Sequence, residues 1–169
     1  MPKLIDTLGH LMENPWELFA KDATLAAVQQ STAKLVLVPA KLWNTEKAAL
    51  LGTGKTFGVW LDSNETAALI KDDLATLHTI ALNFPTFMDG RSYSTAGILR
   101  QQLGYTGEIR AIGDVLRDQL FFMKRCGFST FDLKDSVKLE DAQKALHDFT
   151  MTYAATVEEP VPLFRRRRA

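Results

Sequence analysis

Arg91, Arg110, Arg117 and Arg125, four of five arginines, and three aspartates, Asp89, Asp114 and Asp118, crowd into "DGRSYSTAGILRQQLGYTGEIRAIGDVLRDQLFFMKRCGF", residues 89–128. A guanidinium keeps its charge and presents a fixed fork of donors that fits carboxylate, sulfate or phosphate, so this density suits an oxyanion or an acidic partner. The aspartates supply a competing explanation. Arg–Asp pairs hold loops in register, and Asp114 is placed to cap the helix that follows it. Asp118, Phe122 and Arg125, spaced i, i+4, i+7, share a helix face of the charged and aromatic kind that meets proteins. The candidate ligand- or partner-binding set is therefore Asp89, Arg91, Tyr93, Arg110, Asp114, Arg117, Asp118 and Arg125, with no catalytic residue assigned.

Other chemistries find little footing. His10, His78 and His147 lie on different elements without a second ligand at metal spacing, so no metal site is expected. "GTGKT", residues 52–56, lacks the first glycine of a phosphate loop and precedes a strand instead of following one, so it reads as a turn. Cys126 sits late in a helix, where the dipole opposes a thiolate, and reads as a structural cysteine. No flavin, nicotinamide or catalytic-triad fingerprint stands in the required setting, so the expectation is a chain without cofactor and without independent catalytic activity.

The elements that must position these groups follow from hydrophobic spacing. Short apolar runs at 34–39, 57–62, 78–84, 108–114 and 129–134 read as strands, alternating with helical stretches near 16–30, 42–51, 64–76, 92–103, 115–126 and 137–153. That alternation predicts an α/β fold with a mainly parallel five-stranded sheet flanked by helices. An open sheet is preferred because the chain is shorter than the roughly 250 residues of a full (βα) barrel, with a partial or half barrel as the alternative. Loops that follow parallel strands share one rim, where such folds bind ligands, and this places Asp89 and Arg91 beside Asp114 and Arg117. Residues 1–153 read as one domain, and 154–169, with two prolines and no periodicity, as a basic tail.

The chain has 169 residues, 46% of them hydrophobic, enough for one core. No apolar run reaches the roughly 20 residues of a membrane helix, the first residues lack the order of a signal peptide, and a single cysteine suits a reducing compartment; a cytoplasmic protein is expected. Net charge is zero only through Arg165–Arg168; without them 16 basic residues face 20 acidic ones. A mildly acidic body with its cations in a tail does not fit a nucleic-acid-binding domain.

"FMDGRSYSTAGILRQQLGYTGEIRAIGDVLRDQLFFMKRCGFSTFDL", residues 87–133, closely resembles the signature half of the bacterial family called domain of unknown function 934. "NPW" at 14–16 is similar to that family's N-terminal Asp-Pro-Trp element, with Asn14 in place of Asp, and "FRRRR" is similar to its basic end. The resemblance implies a context: members are commonly encoded beside assimilatory sulfite reductase in proteobacteria and are described as oxidoreductases of sulfate assimilation. It implies an accessory protein that binds sulfite reductase and aids electron delivery. The rival expectation is an enzyme or sensor of sulfur metabolism that holds a small oxyanion on the rim arginines.

Overall fold

The computed structural model describes residues 3–149 and 152–166. All five expected strands form, as β4 (Leu35–Pro39), β5 (Thr56–Leu61), β6 (Thr79–Phe84), β7 (Glu108–Gly113) and β8 (Thr130–Leu133), and they pair in parallel with each strand beside its sequence neighbour. Three short strands near the N-terminus were not expected. β1 (Lys3–Asp6) runs antiparallel to β8, β2 (Leu11–Met12) antiparallel to β1, and β3 (Glu17–Leu18) parallel to β4. The five-stranded parallel sheet is thus corrected to a mixed eight-stranded one, ordered β2-β1-β8-β7-β6-β5-β4-β3.

This order forces curvature. β2 and β3 occupy opposite edges, yet only residues 13–16 join them. Seven gaps of about 4.8 Å would put flat edges about 34 Å apart. The chain from Met12 to Glu17 reaches at most about 18 Å. The sheet therefore curls into a half barrel flanked by helices, which the partial-barrel alternative anticipated and the open sheet did not. The short connection becomes a strap across its concave side.

Side-chain alternation divides the sheet into two faces. Val36, Val38, Val59, Leu61, Ile80, Leu82, Ile109, Ala111 and Phe131 join the main core with residues of α2 (Ala40–Leu51), α3 (Arg91–Gly97), α4 (Leu120–Cys126) and α5 (Leu139–Ala145). Leu37, Trp60, Ala81 and Ile112 form a separate inner cluster against Trp16 of the strap. The inner face is also where Arg110 lies, two residues from Ile112.

Several helices are shorter than their periodicity predicts. The stretch near 16–30 yields β3 and the short α1 (Leu25–Gln30), and the described residues of 137–153 yield α5 only. The expected helix at 64–76 is two 3-10 turns, Ala67–Leu69 and Lys71–Asp73, broken at Ile70. A tertiary bond overrides propensity there: Trp43 Nε1 donates to Asp73 Oδ2 at 2.7 Å, and Lys47 donates to the other carboxylate oxygen. α3 continues through Ile98–Gln102 as a wider turn and closes at Gly104, whose φ of +64° is left-handed, a common end for a helix.

Candidate functional site

The rim at the C-terminal ends of β5, β6 and β7 is built from three linked clamps. Asp62, just past β5, accepts from Asn83 Nδ2 at 3.0 Å, from its neighbour Ser63 N–H at 2.9 Å and from Lys21 Nζ. Burial pushes the Asp62 carboxyl up, and the bonds from Lys21, Asn83 and Ser63 outweigh it, leaving the group below the usual aspartate range. Arg91 opens α3 and grips Asp89 with Nε at 2.9 Å and Nη2 at 2.6 Å, and Nη2 also reaches Ser63 Oγ at 3.0 Å. The bond from Arg91, seconded by Ser63, holds the Asp89 carboxyl far below its ordinary value. Asp114 accepts from Phe87 N–H at 3.0 Å and from Lys134.

Asp114 is therefore not a helix cap. The helix after β7 begins with a 3-10 turn, Arg117–Gln119, and the Asp114 side chain instead ties the β7–α4 loop to the β6–α3 loop. The expected neighbourhood of those loops is present, but through Phe87 and not through an Arg–Asp pair. Gly113 is required at this point. Its φ is +94°, and a Cβ there would strike the Phe84 carbonyl and Asn83 Oδ1, closing off the route by which Asp114 N–H reaches Phe84 O at 2.7 Å. Gly90, by contrast, has an ordinary φ of −92°.

The other candidate arginines are dispersed. Arg110 points into the half barrel, where Nε and Nη2 hold Glu108 Oε1 at 3.0 and 2.8 Å and Nη1 holds Asn14 Oδ1 at 2.8 Å. Glu108 also accepts from Thr130 and Thr79. Burial raises the Glu108 carboxyl, but these hydroxyls and Arg110 bring it below its usual value. Arg117 pairs with Asp118 and with Asp148, each at 3.1 Å. Arg125 donates to the Ala154 carbonyl at 2.8 Å and lies over Phe121, so it seats residues 152–166 against α4. Val157 N–H joins the same seat by bonding the Arg125 carbonyl. Arg167 and Arg168 lie outside the described residues.

Tyr93 packs its ring 5.0 Å from both Phe84 and Phe122, and burial pushes its hydroxyl pKa up. Its partner Phe122 is half exposed, as is Phe87, and Met88 at the loop tip is 87% exposed. Phe122 was read in the sequence as part of a contact face, but Phe87 and Met88 were passed over, although "PTFMDG" puts both at a strand end where a turn was evident. Lys21, Asp62, Ser63 and Asn83 were also passed over as site members. Asp62 and Asn83 could have been found as the polar residues at the ends of two buried strands.

Chemically, the rim is a charge-balanced surface around an open hollow of about 320 Å³, lined by Ser63, Thr66, Arg91, Ser94, Thr95 and Ile98 among others. Burial pushes the Cys126 thiol up to about 11, so it stays protonated at neutral pH. Among the described residues no group of three His, Cys, Asp or Glu side chains is placed to hold a metal ion, and no helix is long and apolar enough to cross a membrane.

No curated protein matches the chain. A family profile matches residues 58–164, from β5 through the described C-terminal segment, and covers the three clamps save Lys21, together with Arg110 and Arg117; this chain belongs to the family described as bacterial protein of unknown function, DUF934.

Proposed function

We propose that this protein is an accessory subunit of assimilatory sulfite reduction that binds sulfite reductase through its rim and helps electrons reach it. The pathway comes from the resemblance described above. The observation that favours a docking role is the apolar group Phe87, Met88 and Phe122, exposed beside the Asp89–Arg91–Ser63 clamp. Apolar surface rimmed by polar groups marks protein contacts, and charged neighbours steer weak, electron-transfer encounters. The clamp keeps Arg91 in one orientation, which lowers the ordering cost of a contact.

The oxyanion reading is less favoured because Arg91, Arg110 and Arg117 each hold a carboxylate that a small anion would have to displace or share. The test is sulfite reduction by an assimilatory sulfite reductase from the same organism, measured with and without this protein. Acceleration that Met88→Asp abolishes, with unchanged folding, is the expected result. No acceleration and no association overturns the proposal, and thermal stabilisation by sulfite or sulfate alone would favour the oxyanion reading instead.

A further inference from the structure

The β1–β2 hairpin holds a sheet edge in place and leaves it bare. Its turn is fixed: the Asp6 carboxylate accepts from Leu8 N–H and His10 N–H, each at 2.8 Å, and Gln143 Nε2 donates to the Gly9 carbonyl at 2.9 Å. Gly9 has a φ of +84°, and a Cβ there would strike the Gln143 side chain. Beyond the turn Leu11 is 62% exposed, and Met12 and Leu8 are exposed as well. Across the ladder Leu11 and Met12 stand opposite Ile5 and Leu4, which are buried. Only their place at the edge keeps them in water.

The backbone decides what can cover them. Asp6 N–H bonds the His10 carbonyl, so by the alternation of an antiparallel ladder His10 and Met12 turn their polar groups towards β1, and Leu11 turns its N–H and C=O outward. Among the described residues neither outward group has a partner. Edges are commonly guarded by Lys, Pro or a bulge; β2 has only its shortness, which confines an added strand to the bonds that Leu11 can make. One outward donor and one outward acceptor on a single residue are both satisfied by the Leu11 of a second copy, related by a twofold axis. That register sets Leu11 against Leu11, His10 against Met12 and Gly9 against Glu13, so apolar meets apolar and no like charges face each other. The fixed turn shapes the edge before association, which lowers the ordering cost.

We infer that the protein associates with a second copy of itself through β2, the two Leu11 residues forming an antiparallel, twofold-symmetric pair that carries the sheet from one copy into the next. The contact is small, so a reversible monomer–dimer equilibrium is expected in place of a permanent dimer. β2 lies three strands from β7, and the inference does not depend on what the rim binds.

The test is sedimentation velocity of the full chain over a concentration series. The expected result is a sedimentation coefficient that rises with concentration. Leu11→Lys places like charges opposite each other, and Leu11→Pro deletes the outward donor while leaving the ladder to β1 intact; each should weaken association about tenfold or more. Met88→Asp should leave it unchanged. The register has its own readout, independent of how those two variants fold. With Cys126→Ser in place, Leu11→Cys should oxidise to a disulfide-linked dimer, because facing residues of a hydrogen-bonded pair have Cα atoms about 5.5 Å apart, within disulfide reach, and Leu8→Cys should not. A chain that stays monomeric throughout the series, or a dimer indifferent to both Leu11 variants, overturns the inference. So does a dimer that cross-links at Leu8 and not at Leu11, and one that Met88→Asp dissociates, which would assign the self-contact to the rim.

Discussion

Arg110 and Arg91 come from one stretch of sequence and have the same side chain, yet they sit in opposite physical situations. The Arg110 side chain is 3% exposed and spans the molecule, joining Glu108 on β7 to Asn14 on the strap. The Arg91 side chain is 62% exposed and its carboxylate partner is two residues away. Coulomb attraction is strong where water is excluded and weak where it is not. The inner arginine therefore belongs to the architecture, because it pins the strap that closes the half barrel. The outer one costs the fold little to lose and is free to meet a partner. Number of arginines per stretch says nothing about this; the face of the strand on which each falls decides it.

The largest expected effect breaks the inner site. Arg110→Met leaves Glu108, 23% exposed, with only hydroxyl partners and releases Asn14, and breaking a largely buried pair costs up to about 3 kcal/mol. Urea denaturation should show that loss. A change below about 1 kcal/mol would mean that Arg110 is no more structural than Arg91.

Asp132 offers a change in the other direction. It shares the inner face with Thr130, its Oδ1 is buried with no hydrogen-bond partner among the described residues, and burial, helped by Asp135, raises its pKa, with Arg110 only partly opposing. A carboxyl whose folded pKa lies above its unfolded one, near 3.9, binds more protons folded than unfolded, so its ionisation subtracts stability as pH rises through the folded value. Asp132→Asn should raise the melting temperature at pH 7, and the gain should shrink as pH falls towards 4. A gain that is constant with pH would assign the effect to shape and not to charge.

A smaller effect separates strap from sheet. Asn14→Ala removes a neutral acceptor from Arg110 at an exposed position and should cost about 1 kcal/mol. Combined with Arg110→Met, the two losses should fall short of additive by a similar amount, since they share one bond. Full additivity would show that the strap is held by Trp16 alone.

Much of this was legible in the sequence, and the failures have physical causes. The five parallel strands announced themselves because each carries a short apolar run between helical stretches, and β4, β5 and β6 are buried on both faces. β2 and β3 did not, because two-residue strands have no period, and β1, four residues long, is too short to show one and takes its place by pairing with β8. The 64–76 helix failed because Asp73 satisfies Trp43 in the core, a contact invisible to local propensity. The placement of Arg110 was readable, since Glu108, Arg110 and Ile112 alternate with Ile109 and Ala111. Its grouping with Arg91 followed closeness in sequence and ignored that alternation. At the rim, Asp89–Arg91 was visible as a turn, but Ser63 and Asp62 come from another strand end and meet it only in three dimensions.

The smallest expected effect on stability, and the one that sharpens the comparison most, is at Arg91. Arg91→Ala removes an exposed guanidinium whose bonds are to Asp89 and Ser63, and water replaces those bonds at little cost. The melting temperature should stay within the error of wild type. Asp89, held far below its ordinary range by Arg91, is ionised at every pH above the acid limit; its contribution is present above the unfolded pKa and is lost only as pH falls through the depressed value. The clamp should thus be intact from about pH 4 upward, and reductase association through it should not change across neutral pH. Under the docking proposal, the variant should fold as wild type and yet lose association with sulfite reductase, most clearly at low salt where charge steering is strongest. If instead Arg91→Ala destabilises the protein as Arg110→Met does, the rim clamp is a structural tie and the contrast between the two arginines collapses. If it changes neither stability nor association, the exposed apolar group acts without Arg91, and Met88→Asp alone carries the test of the rim.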